Sequence, residues 1–336
     1  MEMTRIIFGF VISLLTLAGC SKEEELPPFI PWNPDDQEEE TISLDDATRV
    51  MILPEQAGGK VVMVDEPTGR IAWEWKPEDS GLSSSEAKWF NLPDEAKPVL
   101  DKTCLLVTAS GGGVALIRIS DKKALFYANP GGNPHSAEIL PDKAIAVASS
   151  TGNKLTLYKY DPDSPYVPAP VETYVLPDGH NVVWDGIRKC LWSASVSTLY
   201  RYSYDGIDSE NPLSQTDSYD LPTGNSGCHD LQPVYGEDAL YVTSVQNVYR
   251  FDCRSMAFSE VDCFVKANLK SISSGPEGYP TIVMRPTSSS WWSAEVCDVA
   301  GNRLFNRIGY QIYKARWYVD NPFGYPDGQT LQVNSR

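Results

Sequence analysis

Three histidines at a near-constant spacing constrain the fold of this chain more than any other feature. His135, His180 and His229 are the only histidines among 336 residues, and they stand 45 and 49 positions apart. Each precedes a short apolar strand pattern, a turn and a second strand pattern. A period of about 45 residues is typical of β-propellers, in which four-stranded sheets stack around a channel. The spacing therefore predicts a repeating all-β fold.

Short apolar runs that end in serine or threonine form the second strand of each predicted repeat. Turn residues and an alternating segment follow each run, and another short segment precedes it. The runs are 105–110, 144–150, 191–195 and 240–244, with looser copies at 50–53 and 281–284. The predicted inner strands are 95–99, 136–140, 181–184 and 230–234. Together they predict a six-bladed β-propeller, and a seventh blade would fit if residues 207–218 held an extra strand pair.

The end of the chain supplies a strand without a partner of its own. Residues 313–318 align with residues 94–99 and are followed by no second strand. We expect them to complete the first blade, so that N- and C-terminal strands close the ring together and leave no open sheet edge. The predicted propeller covers residues 47–325, and residues 326–336 form a C-terminal tail.

The first residues resemble a bacterial lipoprotein signal. Arg5 precedes an apolar run too short to span a membrane, and Leu17-Ala18-Gly19-Cys20 matches a lipobox. The resemblance implies that residues 1–19 are a signal peptide and that Cys20 is lipidated and attached to the membrane. An ordinary secretory signal with a chance cysteine is the alternative.

Residues 20–46 predict an acidic, disordered tether. They hold ten acidic residues and one lysine, which account for -9 of the net charge of -17. The run Ser21-Lys22-Glu23-Glu24-Glu25 resembles the export signal of surface lipoproteins in the Bacteroidota, which implies an outer-membrane protein exposed at the cell surface. The folded part is mildly acidic and lacks the positive field that phosphate binding needs, so nucleic acid is excluded as a partner.

Several motifs in the propeller resemble a family of Bacteroidota surface propellers of uncharacterised function. They are residues 133–142, the preceding Gly111-Gly112-Gly113-Val114, and the later Gly179-His180 and Cys228-His229-Asp230. More distantly, the chain is similar to WD40-like and lactonase-like propellers. The likeness covers about residues 48–325, and it implies the fold rather than an activity.

The starts of the inner strands predict a binding site at one end of the channel. Side chains there converge from neighbouring blades, and three imidazoles could hold a divalent metal ion with an open face. We therefore treat His135, His180 and His229 as candidate metal and ligand-binding residues. A purely structural role and a metal-free polar site are the alternatives.

Further residues of the inner strands are candidate ligand-binding residues. Glu138 and Gln232 could bind the ligand or orient the histidines, and basic side chains on the opposite half could hold an anionic group. The basic candidates are Lys97, Lys270 and Arg316.

These residues predict a surface-anchored propeller that binds a small or oligomeric anionic ligand, such as a uronate-containing glycan, at the channel mouth. One alternative is a metal-dependent polysaccharide lyase or hydrolase that uses the three histidines, although no nucleophile motif is recognisable. Oligogalacturonate lyases, which are propellers with a histidine-bound metal, are a fold-level precedent only. Another alternative is a scaffold that binds a protein partner. Apart from the divalent ion, no cofactor is predicted.

Two other features leave alternatives open. Cys253 and Cys263 flank a predicted hairpin and could form a disulfide or remain free and buried. Trp291 and Trp292 are adjacent, so a strand would point one of them outward, where an aromatic ring could stack against a sugar.

Overall fold

A computed structural model describes residues 40–320 and Phe323, and nearly all of its regular structure is β. The strands form six four-stranded antiparallel sheets. In chain order they are β1 (Val50–Glu55), β2 (Lys60–Asp65), β3 (Ile71–Trp75), β4 (Pro93–Val99), β5 (Cys104–Ala109), β6 (Val114–Arg118), β7 (Ala124–Ala128), β8 (Pro134–Leu140), β9 (Ala144–Ser149), β10 (Lys154–Lys159), β11 (Glu172–Val175), β12 (Val183–Asp185), β13 (Cys190–Ser195), β14 (Thr198–Tyr204), β15 (Leu213–Asp220), β16 (Asp230–Pro233), β17 (Ala239–Thr243), β18 (Val248–Asp252), β19 (Ala257–Glu260), β20 (Ser271–Ser273), β21 (Ile282–Met284), β22 (Glu295–Asp298), β23 (Arg303–Asn306) and β24 (Arg316–Trp317).

The sheets are the six blades of a β-propeller. From the inner strand outward, blade I is β24-β1-β2-β3, blade II is β4 to β7, blade III is β8 to β11, blade IV is β12 to β15, blade V is β16 to β19 and blade VI is β20 to β23. The predicted closure is confirmed, because β24 pairs with β1 through the partners Ile52 and Arg316. Residues 213–220 form the outer strand of blade IV, so the region that could have held a seventh blade completes the fourth.

Helices are few and short in the part of the chain that the structure describes. One α-helix (Ser84–Ala87) and two 3₁₀ turns (Pro77–Ser80 and Lys88–Phe90) connect blade I to blade II, and a third 3₁₀ turn (Leu44–Asp46) precedes β1. Within the described residues, no helix has the length and apolar character to cross a membrane.

The core lies between the blades. Each sheet packs an apolar face against the next, as in the contact between Phe126 of blade II and Tyr158 of blade III, whose ring centroids are 5.6 Å apart. Trp192 of blade IV and Phe251 of blade V repeat this contact at the same separation. Edge-to-face and tilted aromatic pairs of this kind stabilise a core beyond the area that they bury.

Polar side chains on the inner strands bind the backbone of the next blade. Ser136 Oγ accepts a hydrogen bond from the Val182 N–H, and Asp230 Oδ2 accepts one from Ile272. Ser271 Oγ accepts the N–H of Ala315 at 2.9 Å. These bonds set the register between successive inner strands, and so they fix which side chains share a level in the channel.

The cysteines in the described residues are free, and five of the six are buried. Cys253 and Cys263 do not form a disulfide. They match the second of the two predictions, in which both cysteines remain free and buried and act as small apolar side chains.

Candidate functional site

Six side chains meet at the end of the channel where the inner strands begin. Each blade contributes one residue. In each inner strand this residue directly precedes the position occupied by Ser136, Asp230 and Ser271, whose side chains bind the backbone of the next blade. We call this set the histidine mouth: Asp94, His135, His180, His229, Lys270 and Tyr313.

The structure brings the three histidines together. The ring centroids of His135 and His180 are 4.6 Å apart, with 18° between the ring planes, so these two imidazoles are stacked. His229 approaches His180 edge-on at 5.6 Å, and Tyr313 stacks on the other side of His135 at 5.4 Å. The mouth is therefore an aromatic cluster rather than an open ring of separate side chains.

The local backbone explains where His135 lies. Gly131, Gly132 and Asn133 all have positive φ angles, of 65°, 69° and 61°, which turn the chain from blade II into blade III. A Cβ atom on Gly132 would lie 2.5 Å from the Cα of Gly152. Glycine is required at that position because both the backbone conformation and the close approach exclude a side chain.

The geometry of the histidines does not suit a metal ion. Stacked rings direct their nitrogen lone pairs along parallel planes rather than toward one point. His180 Nδ1 donates to the Asp178 carbonyl at 2.9 Å, and His229 Nε2 lies 2.7 Å from Lys270 Nζ, whose positive charge would repel a cation. Between residues 40 and 320 no group of three or more His, Cys, Asp or Glu side chains is arranged to hold a metal. The predicted three-histidine metal centre is therefore not supported.

Two of the imidazoles are uncharged at neutral pH. Burial, together with the neighbouring His135, lowers the pKa of His180 to about 2. Burial and the adjacent Lys270 ammonium lower the pKa of His229 to about 3. A neutral imidazole carries one N–H donor and one acceptor nitrogen. Since His229 Nε2 faces the Lys270 ammonium, the hydrogen belongs on Nδ1, which is buried without a hydrogen-bond partner in the described part of the chain.

Lys270 is a nearly buried cation without a carboxylate partner. Its side chain donates to His229 Nε2 at 2.7 Å and to Asn268 Oδ1 at 2.9 Å, and the residue is only 7% exposed. Among the described residues, no carboxylate oxygen lies within 4.0 Å of its amine. Burial, with repulsion from Lys314, lowers the pKa of Lys270 to about 8.

Below the histidine mouth, the channel is filled by paired charges. Arg316 donates to Asp230 at 2.8 Å and to Glu95 at 3.1 Å, and Lys314 lies 3.3 Å from Asp230. Burial alone would raise the pKa of Glu95, but Lys314 and the other cations around it hold that pKa well below its usual range. Arg316, a predicted anion ligand, is thus already neutralised by two carboxylates.

Three other predicted ligand residues lie at the opposite end of the channel. Lys97, Glu138 and Gln232 line an opening, which we call the far mouth, together with Ser273, Tyr235 and other residues at the ends of the inner strands. It holds about 40 Å³ of free space, which is room for a few water molecules. Lys97 lies 3.5 Å from Glu138 and 3.6 Å from Glu95, so its charge is also compensated.

The eight predicted ligand residues therefore do not form one site. His135, His180, His229 and Lys270 belong to the histidine mouth, Arg316 lies inside the channel, and the other three belong to the far mouth. Strand direction separates the mouth residues from the other four, because residues further along an inner strand lie deeper along the axis. Arg316 occupies the same strand level as the far-mouth residues, but its guanidinium binds Asp230 and Glu95, which lie nearer the histidine mouth.

Sequence reasoning missed Gln56, whose side chain supports the mouth. Gln56 Nε2 donates to Asp94 Oδ1 at 3.1 Å, and Ser110 donates to the other oxygen of that carboxylate at 2.7 Å. Asp94 Oδ2 lies 3.2 Å from His135 Nδ1. The sequence did contain a pattern that points to Gln56. This residue directly follows β1, and serine occupies the equivalent position after β5, β9 and β17.

A comparison with known protein families identifies the family of this chain. One family model matches residues 3–335, which is nearly the whole chain. The chain belongs to DUF6528, a family of unknown function. No curated protein matches this DUF6528 chain.

Two solved structures with a TM-score above 0.5 support the fold of the DUF6528 chain, and a third is similar at a lower score. A Bacteroides caccae protein of unknown function has a TM-score of 0.56 and 11% identity, over 81% of this chain and 99% of its own. Hydrazine synthase of Kuenenia stuttgartiensis has a TM-score of 0.52 and 15% identity, over 81% and 80%. The dihydro-heme d1 dehydrogenase NirN, in complex with DHE, has a TM-score of 0.47 and 13% identity over 78% of this chain. The DUF6528 chain spans about half (54%) of the length of that protein. At these identities the likeness concerns the fold alone.

Proposed function

We propose that the histidine mouth binds the anionic group of a small or oligomeric ligand, and that this ligand is a uronate-containing glycan. The observation that carries the proposal is Lys270, a cation that is almost buried and has no carboxylate within 4.0 Å among the described residues. The other buried cations of the channel, Arg316, Lys314 and Lys97, each have at least one carboxylate partner.

A buried ammonium without a counter-charge is unfavourable. The effective desolvation penalty is several kcal/mol per ion, and it is offset when an opposite charge with good geometry is nearby. An ammonium carries three hydrogens, and Lys270 uses two of them, on His229 and Asn268. The third can bind a ligand carboxylate, so an acidic ligand would supply the missing charge.

The side chains around Lys270 suit a sugar acid. Neutral imidazoles can accept or donate a hydrogen bond, and they add no positive charge that would favour multiply charged anions such as phosphate. Tyr313 is nearly buried and stacks on His135, so it supports the imidazole from behind. A uronate combines one carboxylate with several hydroxyl groups, which match the Lys270 ammonium and the hydrogen-bonding nitrogens of the imidazoles.

Isothermal titration calorimetry with galacturonate, trigalacturonate and neutral galactose tests the proposal. We expect the two acidic sugars to bind and the neutral sugar to bind much more weakly. Lys270→Met should weaken binding of the acidic sugars at least tenfold, because it removes the charge and keeps most of the side-chain volume. Lys266→Met is the matched control, since Lys266 is an exposed lysine that pairs with Glu260. Equal affinities of Lys270→Met and the unmodified protein would refute the assignment.

We also propose that the protein is a lipoprotein anchored through Cys20 at the outer membrane and exposed at the cell surface. Cys20 lies outside the described residues, and the support is the lipobox resemblance with the acidic run after it. Cys20→Ser should release the protein from the membrane fraction and abolish labelling with a fatty-acid analogue. Digestion of the wild-type protein by protease added to intact cells would support the surface location.

A further inference from the structure

An exposed tryptophan stands at the rim of the histidine mouth. Trp291, in the loop between β21 and β22, is 54% exposed, whereas the adjacent Trp292 is partly buried. The expectation for this pair assumed a strand, whereas the structure places both residues in a loop, where Trp291 is the exposed member. The exposed indole is a large, rigid apolar surface with a polar N–H edge, which suits contact with a ligand that has both apolar and polar faces.

The indole is linked to the mouth by side-chain hydrogen bonds. Trp291 Nε1 donates to Gln56 Oε1 at 3.0 Å, and the amide of the same Gln56 donates to Asp94. Asp94 in turn lies beside His135. One polar chain thus runs from the exposed ring to the centre of the mouth, and it fixes the orientation of the indole.

The backbone of the same loop is tied to the mouth by an independent route. Ser293 and Ile312 exchange two backbone hydrogen bonds, of 3.0 and 2.8 Å. The next residue after Ile312 is Tyr313, whose ring stacks on His135. The loop is also closed by a bond from the Thr287 N–H to the Trp292 carbonyl. The indole is held by Gln56 and the loop backbone is held by Ile312, so Trp291 is fixed in position before any ligand binds.

The surroundings of Trp291 indicate the chemistry of what it binds. Thr287, Ser288 and Ser289, which precede it in the loop, are exposed, so the loop that carries the ring presents hydroxyl groups to solvent. A protein anchor would be expected to meet an apolar pocket at the centre of a larger interface. A sugar ring has an apolar C–H face and a hydroxyl-bearing edge, which match an isolated indole with polar neighbours.

We propose that Trp291 is a stacking subsite for a pyranose ring of the same saccharide whose acidic unit lies at Lys270. This proposal rests on the proposed function and adds that the ligand has two or more sugar units. A fixed indole loses little conformational freedom on binding, so stacking adds affinity at low entropic cost. The acidic unit provides the charge contact and the second ring provides apolar contact at the rim.

Calorimetry with ligands of two lengths separates the two subsites. Trp291→Ala should weaken binding of trigalacturonate about five- to tenfold and leave binding of monomeric galacturonate unchanged within twofold. Trigalacturonate should quench tryptophan fluorescence in the unmodified protein, and this quenching should be largely lost in the variant. Gln56→Ala should give a smaller loss for the trimer, because the ring remains but its orientation is no longer fixed.

Ile187→Ala is the matched control, since Ile187 is an exposed apolar residue (56%) in the turn between β12 and β13, at the far end of the channel. It should bind both ligands normally. Equal trimer affinities of Trp291→Ala and the unmodified protein would overturn the stacking subsite and leave the anion site intact. Equal losses for monomer and trimer would also overturn it, because the ring would then serve the mouth itself. If Lys270→Met binds normally, the proposed function fails, whatever the result at Trp291.

Discussion

Arg316, in the last strand of the ring, donates a hydrogen bond of 2.8 Å to Asp230 on the inner strand of blade V. The same guanidinium binds Glu95 of blade II, so one side chain from the closing strand connects two other blades across the channel. All three groups are almost completely buried. The end of the chain therefore closes the first blade and also neutralises the carboxylates at the centre of the molecule.

Arg316→Met should strongly destabilise the protein. The substitution removes the guanidinium that binds both Asp230 and Glu95 and leaves Lys314, at 3.3 and 3.8 Å, as the cation near both carboxylates. Removing one member of a buried ion pair typically costs about 3–5 kcal/mol. The free energy of unfolding in urea is the measurement. Arg254→Met is the control, because the Arg254 side chain is 81% exposed and its pair with Asp238 should contribute about 1 kcal/mol or less. A loss below about 1 kcal/mol for Arg316→Met would contradict the role of this residue in closure.

Glu138→Gln should stabilise the protein at neutral and alkaline pH. Burial raises the pKa of Glu138, and the nearby Lys97 offsets this effect only in part. A raised pKa means that the folded state binds the proton more tightly than the unfolded state, so the carboxylate opposes folding above the folded-state pKa. We expect the free energy of unfolding of Glu138→Gln to exceed that of the wild type at pH 8.

The gain from Glu138→Gln should disappear at a pH below the unfolded-state pKa, where the wild-type carboxyl is protonated in both states. Urea unfolding at pH 8 and pH 4 measures this difference. Glu260→Gln, at an exposed position, should show no comparable gain at pH 8. A variant less stable than the wild type at pH 8 would mean that attraction to Lys97 outweighs desolvation.

His229→Phe should weaken binding of acidic sugars, because Lys270 loses the acceptor that holds its amine at 2.7 Å. His229→Gln keeps an acceptor and should retain most of the affinity. We expect about a tenfold loss for the phenylalanine variant, equivalent to about 1.4 kcal/mol, measured by calorimetry with galacturonate. Similar affinities for both variants would show that the His229 acceptor does not position the lysine for binding.

The cysteine thiols should react slowly in the folded protein. Burial raises the pKa of Cys190, Cys228 and Cys253 to about 12, and thiolates are the reactive form. A colorimetric thiol assay should detect little reaction in buffer and six thiols from residues 104–297 in denaturant. Detection of four in denaturant without reductant would reveal a disulfide that the structure does not contain.

The sequence predicted the blades because strand periodicity is a local property. The apolar runs near residues 105, 144, 191 and 240 became β5, β9, β13 and β17, each within one residue of the expected bounds. The bounds of the inner strand β20 (Ser271–Ser273) were not predicted, although Lys270 was assigned to an inner-strand position. Its three residues include two serines, whose hydroxyls accept N–H groups of β24 and of the residue before it. That role is visible only when two blades are adjacent.

The candidate site was predicted only in part. The position of His135, His180 and His229 at the starts of inner strands sufficed to place them at one mouth, since the repeat fixes their height along the axis. The sequence could not assign partners to the charged residues. Lys270 and Arg316 are both basic residues of inner-strand segments, yet among the described residues the first has no carboxylate partner and the second has two.

The sequence by itself determined the repeat, the all-β architecture, the strand that closes the ring and the clustering of the histidines, because these depend on periodicity along the chain. Only the tertiary structure decided which charges are compensated, which end of the channel each residue faces, and that the imidazoles stack instead of converging on a metal. Those outcomes depend on distances of a few ångströms between residues up to 221 positions apart, such as Glu95 and Arg316. Coulombic and hydrogen-bond energies change steeply over such distances, and no pattern along the chain encodes them.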